Sequence, residues 1–508
     1  MSNTEIYNEY GSNIKSTKRR STKSLIKRNT RKINDQIALQ RITKVLRRHL
    51  LNNMNNICSD SGECMALGGK GKNAIRKYFN GFTDFNYVEP PIQSIGNVSG
   101  NGFVKQITYT RNKYSAYAIL KSSQNATSDN LAYEFAVGQY INKLCNRFPC
   151  FLETYGLYYY DEESSWEYMK NNEITDANFL KEKLIGKKTS GYDIDYISAC
   201  AKSKYASILL ENVNSAVTLF DIADSLIIKD TDNYEKAYKN LKPFLQDELP
   251  FILFQIYFAL SILSETFTHY DLHIHNVLIY TLDSNKYLQY HYHYKDGKTV
   301  SFKSKYIAKI IDYGRSFFND KEAKMDSKKI RASLCEIDSC NQEEKCGKFQ
   351  GFASLRGETI ELNESNGYID STNANYSHDL LLIHKLKYLF INKIYKFSNL
   401  GELFDKLNYN SDYGTIAMKT DIEPKMSKKP KKRNEITILD FNINNVNDLS
   451  RHLKYLIIND FRNIMGINES NYSLYETIDE NVKIMYTKIG DLHIYEDGTH
   501  MKYIPNSY

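Results

Sequence analysis

Three residues in the stretch THYDLHIHNVLIY, residues 268–280, have the types and spacing that suit phosphoryl transfer. His269, Asp271 and Asn276 stand as H-x-D-x-x-x-x-N, after an apolar, helix-like run and ahead of the strand-like residues 277–280. Moving a phosphoryl group takes one carboxylate to meet the attacking hydroxyl and hard oxygen donors to hold magnesium on the phosphates. Asp271 can supply the first and the carboxamide of Asn276 the second. Two other readings use the same residues. On a strand, His269, Asp271, His273 and His275 would alternate onto one face and could bind a metal ion. The third reading is a His-rich turn without chemistry.

A loop of this kind has to be held by regular elements, and the flanking sequence reads that way. Residues 249–267 are apolar almost all round, as in a helix central to its domain. Earlier, residues 103–109 and 115–120 read as two strands joined at Arg111-Asn112-Lys113, the second running into Lys121. Residues 130–144 read as a helix carrying Glu134, and 151–160 as a strand or pair. The polar residues 161–195 read as a surface excursion. ILLENV, residues 208–213, reads as a buried strand leaving into a connector, and 218–227 as a helix. Downstream, residues 287–294 and 298–305 flank Asp296-Gly297, a dipeptide favoured in tight hairpins. IAKIIDYG, residues 307–314, ends an apolar strand in Asp312-Tyr313-Gly314. Residues 315–376 have no strong periodicity. Helices are expected over 378–397 and 449–465, and a closing hairpin at Glu496-Asp497-Gly498.

Composition bounds the rest. A chain of 508 residues, 42% hydrophobic and 25% charged, is globular in composition and long enough for two or three domains. Its 41 Tyr against 8 Pro and 1 Trp, with abundant Asn, Ile and Lys, reflect an AT-rich coding bias rather than a fold. The net charge of +7 is concentrated at the N-terminus, where residues 1–48 hold 13 Lys and Arg against 3 Asp and Glu. The remaining residues hold 54 against 57, so the body is slightly acidic. A basic, polar tail over residues 1–30 suits an anionic partner, nucleic acid or membrane surface, or plain solvation. Residues 31–54 carry an apolar helical stripe beside Arg and Lys, fitting either such a partner or packing on the body. Eight Cys without an apolar leader point to a reducing compartment. The apolar run at 251–263 is too short to span a bilayer and is broken by Gln255. GGKGK at 68–72 lacks phosphate-loop spacing, since Gly71 follows Lys70 where a lysine and hydroxyl residue are needed. Cys335, Cys340 and Cys346 are loosely spaced candidates for zinc or ordinary thiols. KMSKKPKKR at 425–433 reads as a linker, with a nuclear-import signal as the alternative.

In order along the chain, the glycines of IGNVSGNGFV, Lys121, Glu134, residues 210–213, H-Y-D with Asn276, D-Y-G and Asp379 resemble the protein-kinase superfamily over about residues 90–400. The resemblance implies an α+β, bilobal protein-kinase-like fold with a small β-rich N-lobe (90–213) and a larger helical C-lobe (214–424). It implies an insertion at 281–306, because Asp271 and Asp312 lie far apart. Around these would stand the basic tail (1–30), a helical extension (31–89), a basic linker (425–434) and a C-terminal helix and hairpin (435–508) packing on the C-lobe. ATP and Mg would be the cofactors. Lys121 would hold the α- and β-phosphates and Glu134 would hold Lys121. Gly100 or Gly102 would approach the phosphates, two alignments of these glycines being possible, and Glu211 to Val213 would offer backbone groups to adenine. Asp271 would orient the acceptor hydroxyl, Asn276 and Asp312 would bind magnesium, and Asp379 would anchor the catalytic loop.

This chain departs from the family pattern in several places. The glycines do not match G-x-G-x-x-G. Lys121 and Glu134 stand closer than is usual, and His273 replaces the lysine two places after Asp271. The D-L-H-x-x-N that results resembles aminoglycoside- and choline-kinase-type enzymes. Tyr270 stands where many regulated kinases have Arg, implying activity independent of a phosphorylated loop. GNVSGNGFVK, HYDLHIHNVLIY, KIIDYGRSFF and GDLHIYEDG resemble kinase-like proteins of giant DNA viruses, implying a virus-encoded serine/threonine kinase acting on protein substrates in host cytoplasm or virion. A catalytically inactive scaffold and a small-molecule phosphotransferase are the alternatives.

Overall fold

A computed structural model gives the arrangement of the chain. It describes residues 51, 54–55, 57–59, 61–67, 69–95, 102–123, 130–187, 192, 205–226, 241, 244–282, 285–333, 353–354, 369–394, 398–409, 441–465, 487–498 and 500–506. Residues 57–508 form one compact unit and residues 1–56 another. The basic tail, nearly all of the 31–54 helix, Cys335, Cys340, Cys346 and the 425–433 run lie outside the described residues.

The fold is α+β. Helix α1 (Gly69–Tyr78) precedes strand β1 (Val88–Ser94). The alternation at 103–120 becomes β2 (Phe103–Arg111) and β3 (Tyr114–Ser122), with every second side chain buried along most of their length. They pair antiparallel from Phe103↔Ser122 to Arg111↔Tyr114, turning at Asn112, which takes the left-handed φ of 55° that Asn tolerates. Helix α2 (Asn130–Leu144) packs on β4 (Thr154–Tyr160).

Residues 161–187 are more regular than their polarity suggested. They hold α3 (Glu163–Asn171), α4 (Phe179–Lys183) and β5 (Leu184–Lys187). The reason is local: Trp166 and Met169, three apart, bury one side of α3, and the Trp166 indole donates to Ser123 O at 2.8 Å. With β6 (Ala206–Glu211) the strands form an antiparallel sheet in the order β1-β2-β3-β6-β4-β5.

After β7 (Val217–Thr218) and α5 (Leu219–Leu226) comes α6 (Leu249–Leu263), with Pro250 in its first turn and 13 buried residues. Its one awkward residue, Gln255, is satisfied. Its amide donates to Tyr306 O at 3.1 Å and accepts from Ala308 N at 3.0 Å. Strand β8 (Phe267–Thr268) leads into the His-rich loop, and β9 (Val277–Thr281) leaves it. The hairpin β10 (Lys286–His293) and β11 (Thr299–Ser304) turns at Gly297, φ 81°, as Asp-Gly predicts. Then β12 (Tyr306–Ile310) returns antiparallel to β9, with Val277 opposite Ile310.

Beyond it lie β13 (Phe317–Asp320), β14 (Met325–Asp326), α7 (Ser327–Ser333), β15 (Ala353–Ser354) and β16 (Ile369–Asp370). Helices α8 (Leu381–Ile394), α9 (Ser398–Asp405) and α10 (Val446–Met465) follow, the last packed on α6. The closing hairpin, β17 (Thr487–Tyr495) and β18 (Met501–Pro505), is where the sequence put it. Its partner was not legible: β17 runs parallel to β10, giving a sheet β11-β10-β17-β18. No described helix is long and apolar enough to cross a membrane.

Candidate active site

Residues 269–276 form an irregular loop, fixed from below by one buried carboxylate. Asp379, in a 3-10 turn ahead of α8, accepts His269 N at 2.8 Å and Tyr270 N at 3.0 Å. Tyr257 of α6 in turn donates to Asp379 O at 2.7 Å, tying the turn to the most buried helix. Burial pushes the Asp379 carboxyl up to about 7, and the two N–H donors pull against that rise.

His269 is fully buried with its ring 5.8 Å from that of Tyr313. Its Nδ1 accepts Asp271 N at 3.2 Å, so the proton sits on Nε2, which donates to Ile311 O at 2.9 Å. Burial pulls its pKa down to about 4 and keeps it neutral. Both nitrogens are therefore committed to backbone. Together with the irregular backbone, this overturns the shared-face metal reading of His269, Asp271, His273 and His275. Among the described residues, no group of three His, Cys, Asp or Glu is arranged to hold a metal ion.

Lys121, Glu134 and Asp312 converge from β3, α2 and the end of β12. Lys121 Nζ donates to Glu134 Oε2 at 2.7 Å and to Asp312 Oδ1 at 2.9 Å. Burial would lower the Lys121 pKa, but attraction to Asp312 and Glu134 carries it above its ordinary value. Asp312 is opposed by burial and is still held down to about 2 by Lys121. Glu134, with one oxygen in this pair and Oε1 buried without a hydrogen-bond partner, is pushed up to about 7 by burial, more than Lys121 can offset. Two carboxylates share one ammonium, so the cluster has room for further positive charge. The short Lys121–Glu134 interval does not prevent pairing, because β3 and α2 lie near enough to bring the side chains into contact.

Asp271 lies beside two basic groups, His273 Nε2 at 3.8 Å and Arg315 Nη1 at 3.7 Å. His273 Nδ1 accepts His275 N at 3.2 Å, so Nε2 carries the proton on the side facing Asp271. Burial lowers the His273 pKa against the pull of Asp271. Asn276 is buried, donates from Nδ2 to Asp271 O at 2.9 Å, and accepts Ile311 N on its backbone oxygen at 3.1 Å. These bonds set the Asn276 and Asp312 side chains at the adjoining ends of β9 and β12. Tyr270 and Asp312 have left-handed φ values of 63° and 66°. Such a conformation costs a residue with a Cβ about 1–3 kcal/mol and clusters at functional sites.

The other expected residues are placed less directly. Gly102 has φ 144°, and a Cβ there would lie 2.2 Å from Ser122 O, so glycine is needed for close approach to the end of β3. Gly100 lies outside the described residues. Val213 is buried and its carbonyl accepts Ala216 N at 3.2 Å. The Glu211 side chain is held by Lys72 at 2.8 Å. Two residues were missed. Arg315 could have been noticed beside D-Y-G, whereas Lys72 stands 139 positions from its partner and gave no signal. His275 is exposed, as a surface residue should be. No protein-family model matches this chain, and no curated protein matches it significantly.

Proposed function

We propose that this chain is an ATP- and magnesium-dependent phosphotransferase with a bilobal, protein-kinase-like architecture, acting on serine or threonine hydroxyls of proteins. The observation that carries this reading is a single arrangement. One lysine joins Glu134 to Asp312, while Asp379 pins the loop that presents Asp271 and Asn276.

The donors fit the cofactors. Asp312 and the oxygen of Asn276 are two hard ligands, the number magnesium takes when phosphates and waters complete its shell. The excess of carboxylate over ammonium around Glu134 favours an added cation. Magnesium would supply charge stabilisation on the phosphates. Lys121 binds phosphate oxygens and is held in direction by Glu134. Asp271 accepts a hydrogen bond from the acceptor hydroxyl and takes its proton as the new P–O bond forms and the bond to ADP breaks. His273 and Arg315 flank Asp271 and orient its carboxylate.

A second reading, a nucleotide-binding scaffold without transfer, is favoured by the direct Lys121–Asp312 pair at 2.9 Å, which occupies both groups with each other. The deciding experiment is transfer from labelled ATP to generic proteins and to small alcohols. Incorporation into protein supports the kinase, incorporation only into alcohols moves the acceptor class, and binding without either supports the scaffold.

A further inference from the structure

The connector after β6 is gripped by a segment that the proposed chemistry does not use. Lys72 of α1 is buried and its Nζ donates to Glu211 Oε2 at 2.8 Å. One turn on, Arg76 Nε lies 3.2 Å from Glu153 Oε2, and Glu153 N donates to Glu211 Oε2 at 2.9 Å. A buried ion pair of this kind orients its elements, and breaking it leaves an uncompensated charge.

Ahead of α1, and against the expectation of free thiols in a reducing compartment, a disulfide joins Cys58 to Cys64. The loop it closes docks by backbone on β3: Cys64 N donates to Ser115 O, and Ser115 N to Gly62 O, both at 2.8 Å. Gly62 has φ 91°, and a Cβ there would lie 2.0 Å from Lys113 O, so the fit requires glycine. The adjacent Glu63 Oε1 accepts Tyr117 Oη and Asn214 Nδ2, both at 2.9 Å. Asn214 lies three residues beyond Glu211. The end of β6 is thus held by α1, and the connector beyond it by the disulfide-closed loop. Both cysteines are partly exposed.

We propose that residues 57–78 are a redox-sensitive clamp on this connector, and that reduction of Cys58–Cys64 releases it and weakens nucleotide binding at the adjoining site. A thiolate of a small dithiol attacks one sulfur, the Cys58–Cys64 bond breaks, and the departing thiolate takes a proton. The second thiol of the reductant then resolves the mixed disulfide, leaving two cysteine thiols and an oxidised dithiol. Opening the loop raises the conformational entropy lost when Gly62 and Glu63 dock, so the grip on Asn214 loosens. The effect on nucleotide rests on the phosphotransferase reading, but the clamp does not.

The full chain, oxidised or treated with dithiothreitol, is compared by hydrogen exchange and by ATP titration, with Cys58→Ser and Lys72→Met in parallel. Reduction and both variants should speed exchange at Glu211, Asn212 and Ala216 by about tenfold, with α6 unchanged. ATP affinity should fall at least about threefold in the same samples. Equal exchange in oxidised and reduced protein overturns the clamp, and this comparison needs no variant to fold. Faster exchange with unchanged ATP affinity overturns the coupling to the site. If ATP binds in neither state, the phosphotransferase reading fails while exchange still decides the clamp.

Discussion

Lys121 pairs with two carboxylates at once, Glu134 and Asp312. Lys121→Met should lower ATP affinity and release Asp312 from its depressed pKa of about 2 toward the ordinary carboxylate range, which carboxyl-labelled NMR can follow. Asp271→Asn should leave ATP binding within about twofold and reduce transfer by about 10²–10⁴-fold, the range for removing a general base. His269 gives a pH signature. Its folded pKa of about 4 lies below the ordinary 6.5, so its contribution to stability is present above 6.5 and lost as pH falls toward 4. His269→Gln should flatten that part of the stability profile, measured by denaturant unfolding between pH 7 and 4. Asp379 runs the other way, since its raised pKa of about 7 makes its contribution fade as pH rises through 7. At this scale the chemistry-bearing types were legible because H-x-D-x-x-x-x-N and D-Y-G are local. Arg315 and Lys72 were not, since a lone basic residue has no period and its partner is set by tertiary packing.

The elements matter for what they hold still. Helix α6 is readable as a buried helix from its apolar run, and Gln255, which interrupts that run, is held by two bonds to the start of β12. Gln255→Leu should cost about 1–3 kcal/mol, because Ala308 N loses its acceptor in the core. The same helix reaches the loop through Tyr257 and Asp379. Asp379→Ala strips acceptors from two buried N–H groups and should cost roughly 3 kcal/mol, read by chemical denaturation. It should also lower transfer without touching the acceptor. The strands were legible where burial alternates, as in β2 and β3. α3 was not, because only Trp166 and Met169 mark its buried side within a polar run.

The whole molecule is closed by a pairing no local pattern could announce. β10, inserted between β9 and β12, runs parallel to β17 some 200 residues later, with His291 opposite His493. Each hairpin announces itself through Asp-Gly, but nothing in either names the other. Removing residues 487–508 should expose the edge of β10, lower the melting temperature and promote association through that edge. Phosphate transfer from labelled ATP, with wild type, Asp271→Asn and Asp312→Ala side by side, decides whether Asp271 and Asp312 carry a phosphotransfer reaction. Wild type should incorporate phosphate, and both variants should lose incorporation while remaining folded. Incorporation that persists undiminished in both variants would contradict that role.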